Sequence, residues 1–545
     1  MERIVPEKET ITIEFKSDKK PIPDDVIIDS VVAFANTEGG ELYLGVEDDG
    51  RISGIHPSHR DITRLAAFIA NKTIPPQAVR VELIDEIAPV IRIQVAKSRS
   101  IVASSSGKTQ RRQIKMDGTP ENVPMYPYEY STRLSDLSLL DFSAQPVPNG
   151  EYSDLDPVQR EHLRGALRNY NGEKALLELE DEELDQALRL AVSVNGTLIP
   201  TFTGILMIGR EKKLREYLPT AEAAFIAYKG TQITANQTFY LPLLSALEKI
   251  FSYVDARNSE QEMQAGLFRI TIPDYDQRAV REAIINAFVH RDYTRMGRVL
   301  VQLDDDGLSV SNPGGFIEGV TVDNILSVDP HGRNPTLADA LKRIGMAERS
   351  GRGVDRIFEG SLIYGRSLPD YSETTATSVR LFIPHGEPDE SFIRMLSEEQ
   401  QRRGTLLPFN SLLILNAMKQ LRRMTVREIS ESTHISEAKT RAAVERMLEA
   451  GLLEASGTGK GRFYLLSEKA YQHKKAYVRQ TDIDAVRYPE LVMKLVDRKG
   501  TVTRKDVIEL LHVSPSQAYR ILHKLEQKHQ LVKEGTTRSV IYKKA

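Results

Sequence analysis

The stretches REAIINAFVHRDY (281–293) and ERSGRGVDRI (348–357) decide how the centre of this chain is expected to fold. In the first, Glu282 and Asn286 recur at a helical spacing, which places a carboxylate and an amide on one helix face. Such a pair can polarise a water and bind Mg²⁺ through oxygen atoms. In the second, Gly351 and Gly353 precede an apolar run, where glycines let backbone N–H groups approach phosphate oxygens. Together they predict a nucleotide site without a phosphate loop.

Two more motifs lie between these stretches, Asn312–Pro313–Gly314 and Arg333–Asn334–Pro335. The four motifs, in this order, resemble the GHKL (Bergerat) ATP-binding fold of gyrase, chaperone and histidine-kinase ATPase domains. They resemble more closely the divergent GHKL domain of bacterial proteins labelled helicase-related or transcriptional regulators. The resemblance implies that Glu282 activates water and that Asn286 binds Mg²⁺. The residues that it implies for the nucleotide site are Asn286, Arg291, Asp292, Asn312, Gly314, Gly315, Arg333, Asn334, Gly351 and Gly353.

One position departs from the GHKL pattern, because Ser311 and Asn312 stand where an aspartate usually contacts the adenine amine. ATP binding is therefore predicted, whereas weak ATP hydrolysis is left open. Each motif taken alone has another interpretation, since solvated helix faces and Gly-rich turns are common. No intact phosphate loop is found, so helicase activity is not expected.

Length and composition predict a multidomain protein of ordinary charge. A chain of 545 residues is expected to form three or four domains. Its net charge is −3, and no apolar run approaches the roughly 18 residues that cross a bilayer. The N-terminus lacks the apolar core of a secretion signal, so a cytoplasmic location without membrane contact is expected. The absence of cysteine excludes disulfides, thiolate zinc sites and cysteine nucleophiles.

Residues 1–100 are predicted to form an α+β domain. Strands are expected at ITIEFK (11–16), GGELYLGVEDDG (39–50) and VIRIQVA (90–96), with a helix at DDVIIDSVVAFANT (24–37). Within them, the order of EFK, AFANTEGG and GVED resembles the Schlafen-type AlbA-like domain, some members of which are metal-dependent nucleases. The resemblance transfers the three carboxylates of those nucleases to Glu9, Glu14 and Asp48, with Mg²⁺ or Mn²⁺ at Glu14 and Asp48. A solvated acidic turn at 47–49 is the alternative.

Residues 101–155 are rich in Ser, Pro and Gly and are expected to connect two domains. In this segment Arg111, Arg112 and Lys115 form a small basic patch, for which nucleic-acid contact and a plain surface role are both open. Residues 156–387 are predicted to form the GHKL-like domain, a mixed sheet with helices on one face. Its helices are expected at 158–169 and 182–192, and its strands at GILMIG (204–209), AAFIAYKG (223–230), VLVQLD (299–304), LSVSN (308–312) and SVRLFIP (378–384).

The C-terminal third contains an internal repeat, at residues 424–454 and 501–534. Each copy has two helical patterns joined by His-Ile-Ser or His-Val-Ser and followed by a strand pattern, an order that resembles the winged helix-turn-helix. The domains are expected at 405–470 and 484–545, with Ser436 and Ser514 as N-caps. Residues predicted to contact nucleic acid are Lys439, Arg441, Gln517, Tyr519, Arg520 and Lys524. Residues 487–545 carry 13 Lys or Arg against 6 Asp or Glu, which favours phosphate contact by the second copy.

Two functions are therefore expected as alternatives. One is a regulator that binds ATP and DNA, or RNA, and that couples nucleotide state to the winged helices. The other is a metal-dependent nuclease at Glu9, Glu14 and Asp48 that acts in RNA turnover or defence. A scaffold that binds nucleotide only for stability is a third interpretation. A homodimer is expected, because GHKL domains and winged helices often dimerise.

Overall fold

A computed structural model of the chain describes residues 4–137, 139–265, 268–328, 332–347, 351–420, 423–457, 462–467, 492–493, 495–496, 499–511, 515–528, 530–534 and 540–544. The chain divides into two compact units. One comprises residues 1–260, 273–361 and 367–386, and the other comprises 261–272, 362–366 and 387–545. No helix in the described part of the chain is both long and apolar enough to cross a membrane.

The first unit begins with a four-stranded sheet of order β1-β2-β5-β4. Strand β1 is parallel to β2, and the other neighbours are antiparallel. On one face, apolar side chains of α1 such as Ile27 and Val31 are fully buried against Leu42 and Ile93 of the sheet. The predicted strands and helix of this domain are all found. The elements are β1 (Ile13–Lys16), α1 (Asp24–Ala35), β2 (Gly40–Leu44), α2 (Ile62–Lys72), β3 (Thr73–Ile74), β4 (Val79–Asp85), β5 (Pro89–Val95) and β6 (Ala103–Ser104).

Part of the segment 101–155 is hydrogen-bonded into this first domain, although its composition predicts only a connection. Strands β7 (Gln110–Ile114) and β8 (Pro120–Pro124) form a hairpin, and α3 (Pro127–Asp136) follows. The Arg112 side chain leaves the hairpin and contacts Glu14 of β1. The domain boundaries drawn from the sequence remain predictions, but this hairpin packs against the domain that precedes it.

The next elements are short and mostly helical, and they correct one strand prediction. GILMIG lies in helix α6, whose residues are all buried, and the Thr201 hydroxyl accepts a hydrogen bond from Gly204 N as its N-cap. A short apolar run does not distinguish a buried strand from a buried helix, so periodicity was not decisive here. The elements are α4 (Pro157–Asn169), α5 (Asp181–Ala187), β9 (Ala191–Val194), β10 (Thr197–Pro200), α6 (Phe202–Ile208) and α7 (Glu211–Tyr217).

The central sheet has five strands in the order β12-β11-β15-β16-β17. Only β11 and β15 are parallel neighbours, so the sheet is mixed. Helices α8 and α9 contact it through β11, β15 and β16. The elements are β11 (Ala223–Lys229), β12 (Gln232–Phe239), α8 (Leu243–Asp255), β13 (Glu260–Ala265), β14 (Phe268–Pro273), α9 (Gln277–Val289), β15 (Val299–Leu303), β16 (Gly307–Pro313), α10 (Pro335–Arg343), α11 (Gly353–Leu362) and β17 (Ser378–Pro384).

The second unit contains both copies of the C-terminal repeat, each as a helix pair with antiparallel strands. In the first copy, α14 and α15 are followed by the two-stranded wing β18–β19. In the second, the strand order is β20-β22-β21. Val513 and Ser514 lie outside the described residues. The elements are α12 (Glu390–Arg403), α13 (Phe409–Gln420), α14 (Val426–Thr433), α15 (Glu437–Glu449), β18 (Leu453–Ser456), β19 (Phe463–Leu466), β20 (Thr501–Thr503), α16 (Arg504–Leu511), α17 (Pro515–Gln527), β21 (Leu531–Glu534) and β22 (Ile541–Lys544).

Candidate nucleotide site and nucleic-acid helices

Helix α9 positions the carboxylate and amide of the first stretch. The Asp276 side chain caps its start by accepting hydrogen bonds from the backbone N–H groups of Arg278 and Ala279, both at 2.9 Å. Glu282 is buried, at 4% exposure, in the middle of this helix. Asn286 lies one turn later and is half-buried. The helix therefore presents both side chains on one face, at different depths.

The start of α11 meets this face of α9. A Cβ atom added to Gly353 would lie 3.0 Å from Glu282 Oε2 and 3.6 Å from Asn286 Nδ2. On the next turn of α11, Arg356 Nη1 lies 3.5 Å from Glu282 Oε1. The two stretches 281–293 and 348–357 thus converge on one small region, and only a glycine fits at position 353 without displacing the carboxylate. Glu348 lies outside the described residues.

A second glycine keeps α11 close to α9. A Cβ atom on Gly360 would lie 2.6 Å from the Cβ of Ala279 and 2.9 Å from the Cβ of Asp276. Gly353 and Gly360 thus mark two points of close approach, two helical turns apart. Gly351, by contrast, is exposed and has a φ of 75°, in the left-handed region that glycine adopts readily. The sequence did not single out Gly360, although its spacing from Gly353 was a usable signal.

Arg291 and Asp292 stabilise the loop that follows α9. Arg291 is fully buried, and its guanidinium donates to the carbonyls of Asp292 (2.9 Å), Gly297 (2.7 Å) and Thr220. Asp292 is also buried, and its Oδ1 accepts from the Thr294 backbone N–H and hydroxyl. These hydrogen bonds give both residues a role in supporting the loop, and their contact with a nucleotide stays a prediction.

Arg333 and Asn334 connect α10 to the same loop. Asn334 is buried, and its Nδ2 donates to the carbonyls of Val289 and Arg291, both at 2.8 Å, at the end of α9. Helix ends leave such carbonyls without intrahelical partners, so this side chain completes the end of the helix. The buried Arg333 guanidinium donates to Gly315 O at 3.1 Å and pairs with Asp136. These two residues thus hold the backbone in place, and their contact with a nucleotide stays a prediction.

The Asn-Pro-Gly-Gly turn after β16 is packed tightly against this loop. Asn312 is buried and pairs through its backbone with Val379 of β17. A Cβ on Gly314 would lie 2.7 Å from the Cβ of Asp292, and one on Gly315 would lie 2.6 Å from Thr375 O. The glycines at 314 and 315 are therefore required by close packing. With Arg291, Asp292, Arg333 and Asn334 they form a buried framework beside α9.

The N-terminal domain holds a separate polar concavity with a volume of about 390 Å³. Its acidic lining residues are Glu9, Glu14, Asp29 and Glu121. Glu14 is buried and already neutralised, since it lies 2.6 Å from Arg112 Nη1 and 2.7 Å from Lys16 Nζ. Arg112 itself is almost fully buried, which corrects its assignment to a surface basic patch, and burial lowers its pKa.

The three carboxylates that the sequence assigns to a nuclease centre do not assemble. Asp48 is exposed in the turn after β2 and is absent from the lining of the concavity, whereas Glu9 accepts a hydrogen bond from Phe15 N at 2.7 Å. Among the described residues, no group of three or more His, Asp or Glu side chains is arranged to hold a metal ion. Mg²⁺ or Mn²⁺ at Glu14 and Asp48 therefore does not fit this arrangement. The ion pair of Arg112 with Glu14 could not be predicted, because no feature of the sequence around Arg112 indicates that its side chain is buried.

The second helix of each repeat copy presents an exposed face that carries Lys and Arg side chains. In α15, Lys439 and Arg441 are exposed while Val444 is fully buried. In α17, Tyr519, Arg520 and Lys524 are exposed, and the side chains of Ala518, Leu522 and Leu525 form part of the core. The exposed side is thus the one that the sequence predicts for nucleic acid. Gln517 lies on α17 as well.

Comparison with known families matches four regions of the chain. Residues 9–121 match the Schlafen AlbA_2 family, and residues 297–383 match the family described as "Putative ATP-dependent DNA helicase recG C-terminal". Residues 410–454 match the winged helix-turn-helix DNA-binding family, and residues 132–224 match a domain family of unknown function, DUF8451. The chain combines a Schlafen AlbA_2 domain, a GHKL-like recG C-terminal domain and winged helices.

One solved structure aligns with almost the whole chain. The crystal structure of the DIP2311 protein from Corynebacterium diphtheriae aligns with 98% of this chain and 95% of that one, at 22% identity and a TM-score of 0.52. At that identity the likeness concerns the fold alone. The mRNA-binding domain of elongation factor SelB from E. coli, in complex with SECIS RNA, aligns with 23% of this chain and 92% of that one, at 17% identity and a TM-score of 0.12. That second alignment carries no argument.

The matched families support nucleotide binding and nucleic-acid binding for this chain at the level of domains. The recG C-terminal match begins after α9, so Glu282 and Asn286 precede the matched residues. Their assignment to the nucleotide depends on the contact with Gly353, which lies within the match. The winged-helix match covers α14 and α15 of the first copy, and the second copy has the same order of elements.

Proposed function

We propose that this protein is a cytoplasmic regulator that binds ATP with Mg²⁺ at the junction of α9 and α11 and nucleic acid at its winged helices. The observation that supports the nucleotide assignment is the close approach of the Gly353 backbone to Glu282 and Asn286, which lie 3.0 Å and 3.6 Å from where a Cβ at 353 would be. The residues of this junction are compatible with a magnesium nucleotide because an amide oxygen can bind the ion. Backbone N–H groups at the start of α11 are suited to donating hydrogen bonds to phosphate oxygens.

Each side chain at the junction has a separate chemical task in this proposal. Asn286, which is half-buried, would offer its Oδ1 to Mg²⁺, which neutralises phosphate charge when bound. Glu282 would accept a proton from water, with Arg356 orienting the carboxylate from 3.5 Å. Gly353 would admit the phosphates because it has no side chain. The buried framework around Arg291 and Asn334 would hold the end of α9 in position.

The coupling of nucleotide to nucleic acid is the finer part of the proposal. Between the two glycine motifs, α10 is packed into the first unit, with Leu337, Ala340 and Leu341 fully buried. We therefore expect ATP to order the part of 319–347 that precedes α10. Segments that close over a bound nucleotide behave in this way. The regulator would respond to ATP by changing its affinity for DNA, and RNA is the second nucleic acid to test.

The deciding experiment measures ATP binding and DNA binding in the same full-length protein. ATP with Mg²⁺ is expected to raise the melting temperature of the wild type, and Asn286→Ala is expected to abolish this shift. Gln186→Ala, an exposed amide on α5, is the matched control and should keep it. Anisotropy with labelled DNA should then give different affinities with and without ATP. Absence of a melting shift in the wild type would refute the nucleotide site, and equal DNA affinities would refute only the coupling.

A homodimer is also part of this proposal, and the edge strand β12 supports it. Its sequence QITANQTF (232–239) has no charged residue, and most of its side chains are exposed. Exposed, uncharged edge strands tend to pair with another strand. Elsewhere in the first unit, the edge strand β4 carries Arg80, Glu82 and Asp85, and the outer side of β17 is paired with Asp370. We propose that two copies pair through β12.

A further inference from the structure

The exposed face of α17 carries two parallel rows of side chains. Residues four apart on a helix lie above one another, so Tyr519, His523 and Gln527 form one row. Arg520, Lys524 and Lys528 form the neighbouring row, and all three are exposed. On the opposite side of the helix, Ala518, Leu522 and Leu525 are buried in the core of the second winged helix. The two rows thus belong to the surface of a well-packed domain.

The first row is a flat aromatic surface. The rings of Tyr519 and His523 are stacked, with 5.6 Å between centroids and 12° between planes. Tyr519 is 47% exposed, so its ring remains accessible to solvent although it is stacked on His523. Glu526, which follows His523 by three residues, lies 3.3 Å from His523 Nδ1. A rigid, exposed ring of this kind can accept a stacked nucleobase at low entropic cost.

The first repeat copy provides an internal comparison. When Ser436 and Ser514 are aligned, Arg441 of α15 occupies the position of Tyr519. Helix α15 contains no aromatic residue, and Glu437 and Glu445 are exposed beside its lysine and arginines. The aromatic row with its cationic neighbour is therefore specific to the second copy. Its chemistry differs from that of a helix which contacts a duplex by charge and hydrogen bonds alone.

We propose that the second winged helix binds an unpaired nucleobase on Tyr519, with the row Arg520, Lys524 and Lys528 on the adjoining phosphates. This inference depends on the proposed nucleic-acid function and makes it narrower, because it selects single-stranded or looped DNA or RNA over intact duplex. Bases inside a duplex are stacked on each other and present only their edges. An unpaired base presents its π face, which stacks on an aromatic side chain whatever its identity.

The test compares one oligonucleotide sequence as single-stranded DNA, single-stranded RNA and duplex DNA, bound to the full chain and followed by anisotropy. Tyr519→Ala is expected to weaken binding of the single strands about tenfold and binding of the duplex by less than about twofold. Tyr519→Phe keeps the ring and is expected to retain wild-type affinity. Lys524→Ala should weaken the binding of all three oligonucleotides and reduce the dependence of their affinity on salt concentration. Melting curves of each variant verify that the domain still folds.

Tryptophan fluorescence gives a direct reading of stacking, because the natural chain contains no tryptophan. The single indole in Tyr519→Trp should be quenched by single-stranded nucleic acid and much less by duplex. Arg441→Trp, at the matching position of α15, is the control and should show no such preference. Equal loss of single-strand and duplex binding in Tyr519→Ala, or an unquenched indole in Tyr519→Trp, would overturn the inference. A wild type that binds no nucleic acid would instead overturn the proposed function.

Discussion

His290 is the residue that ends helix α9, and its ring is held next to two cations. Its backbone N–H donates to Asn286 O at 2.9 Å. Burial, followed by the charges of Arg333 and Lys342, lowers the pKa of the imidazole from 6.5 to about 4. The folded protein therefore keeps His290 neutral at pH values where the unfolded chain would protonate it. Its charge state therefore reports on the environment at the end of the helix that carries Glu282 and Asn286.

This lowered pKa predicts a loss of stability in mild acid. Because the unfolded state binds the additional proton, the contribution is fully present above pH 6.5 and disappears as the pH falls towards 4. Between pH 7 and 5 the expected loss of unfolding free energy is about 1 to 2 kcal/mol. Urea denaturation at both pH values measures it, and His290→Asn should show a smaller difference. The same pH dependence in both proteins would exclude His290 as its source.

The sequence predicted which polar residues gather near α9, but not what each of them does there. Glu282, Asn286 and Gly353 do meet, because helical spacing and a glycine at a helix start are local properties. Arg291 and Asn334 are residue types that often bind phosphate, but here both are buried and donate hydrogen bonds to backbone carbonyls. A polar side chain that binds a ligand and one that supports a loop differ only in long-range packing, which a single sequence does not reveal.

At the scale of the element, α11 depends on its two glycines. An alanine at 360 would place a methyl group 2.6 Å from the Cβ of Ala279, so the helices would have to separate. The apolar side chains of α11 and α9, among them Ile357 and Ala283, are buried. Close packing of two helices of this kind leaves little room for adjustment. Gly360 therefore fixes the distance at which Gly353 reaches Glu282.

For this element we predict that two glycine-to-alanine substitutions change the stability in opposite directions. Gly360→Ala should destabilise the first unit by about 1 to 3 kcal/mol through overpacking. Gly165→Ala in α4 should stabilise it by about 0.5 to 1 kcal/mol, because nothing lies within 4 Å of the added methyl and alanine favours helix. Chemical denaturation of both variants measures the difference. If Gly360→Ala were as stable as Gly165→Ala, close approach of the two helices would not be needed.

Two elements show where sequence patterns stop being sufficient. GILMIG at 204–209 is as compatible with a strand as with the buried helix α6 that it forms, since apolar residues surround it on every side. The hairpin β7–β8 lies in a segment of weak periodicity, and it is joined to the first domain by the contact of Arg112 with Glu14. Both outcomes are set by tertiary contacts. Four strands of the central sheet, β11, β15, β16 and β17, were predicted from the residues alone, whereas its edge strand β12 was not.

At the scale of the whole molecule, the chain combines several domains. The coupling of nucleotide binding to nucleic-acid binding between them is proposed, and it is not an observation. The repeat at 424–454 and 501–534 predicted two winged helices, and both are found, because a repeated helix-turn-helix pattern is largely local. The division into two units, with residues 261–272 and 362–366 assigned to the second, was not foreseen. The assignment of these short segments to the second unit depends on contacts between residues far apart in sequence.

The last prediction concerns the assembly of two chains through β12. Antiparallel pairing of QITANQTF with its copy would satisfy the outer backbone groups of the strand without bringing charges together. Ile233 is 53% exposed on this strand, so Ile233→Lys would place a positive charge on both paired edges and should shift the protein from dimer to monomer. Leu83→Lys, at 45% exposure on the charged edge strand β4, is the control and should leave the dimer intact. Sedimentation equilibrium distinguishes the 61.3 kDa chain from twice that mass. A wild type that sediments as the single chain would refute the dimer, and a dimer that survives Ile233→Lys would assign the contact to another surface.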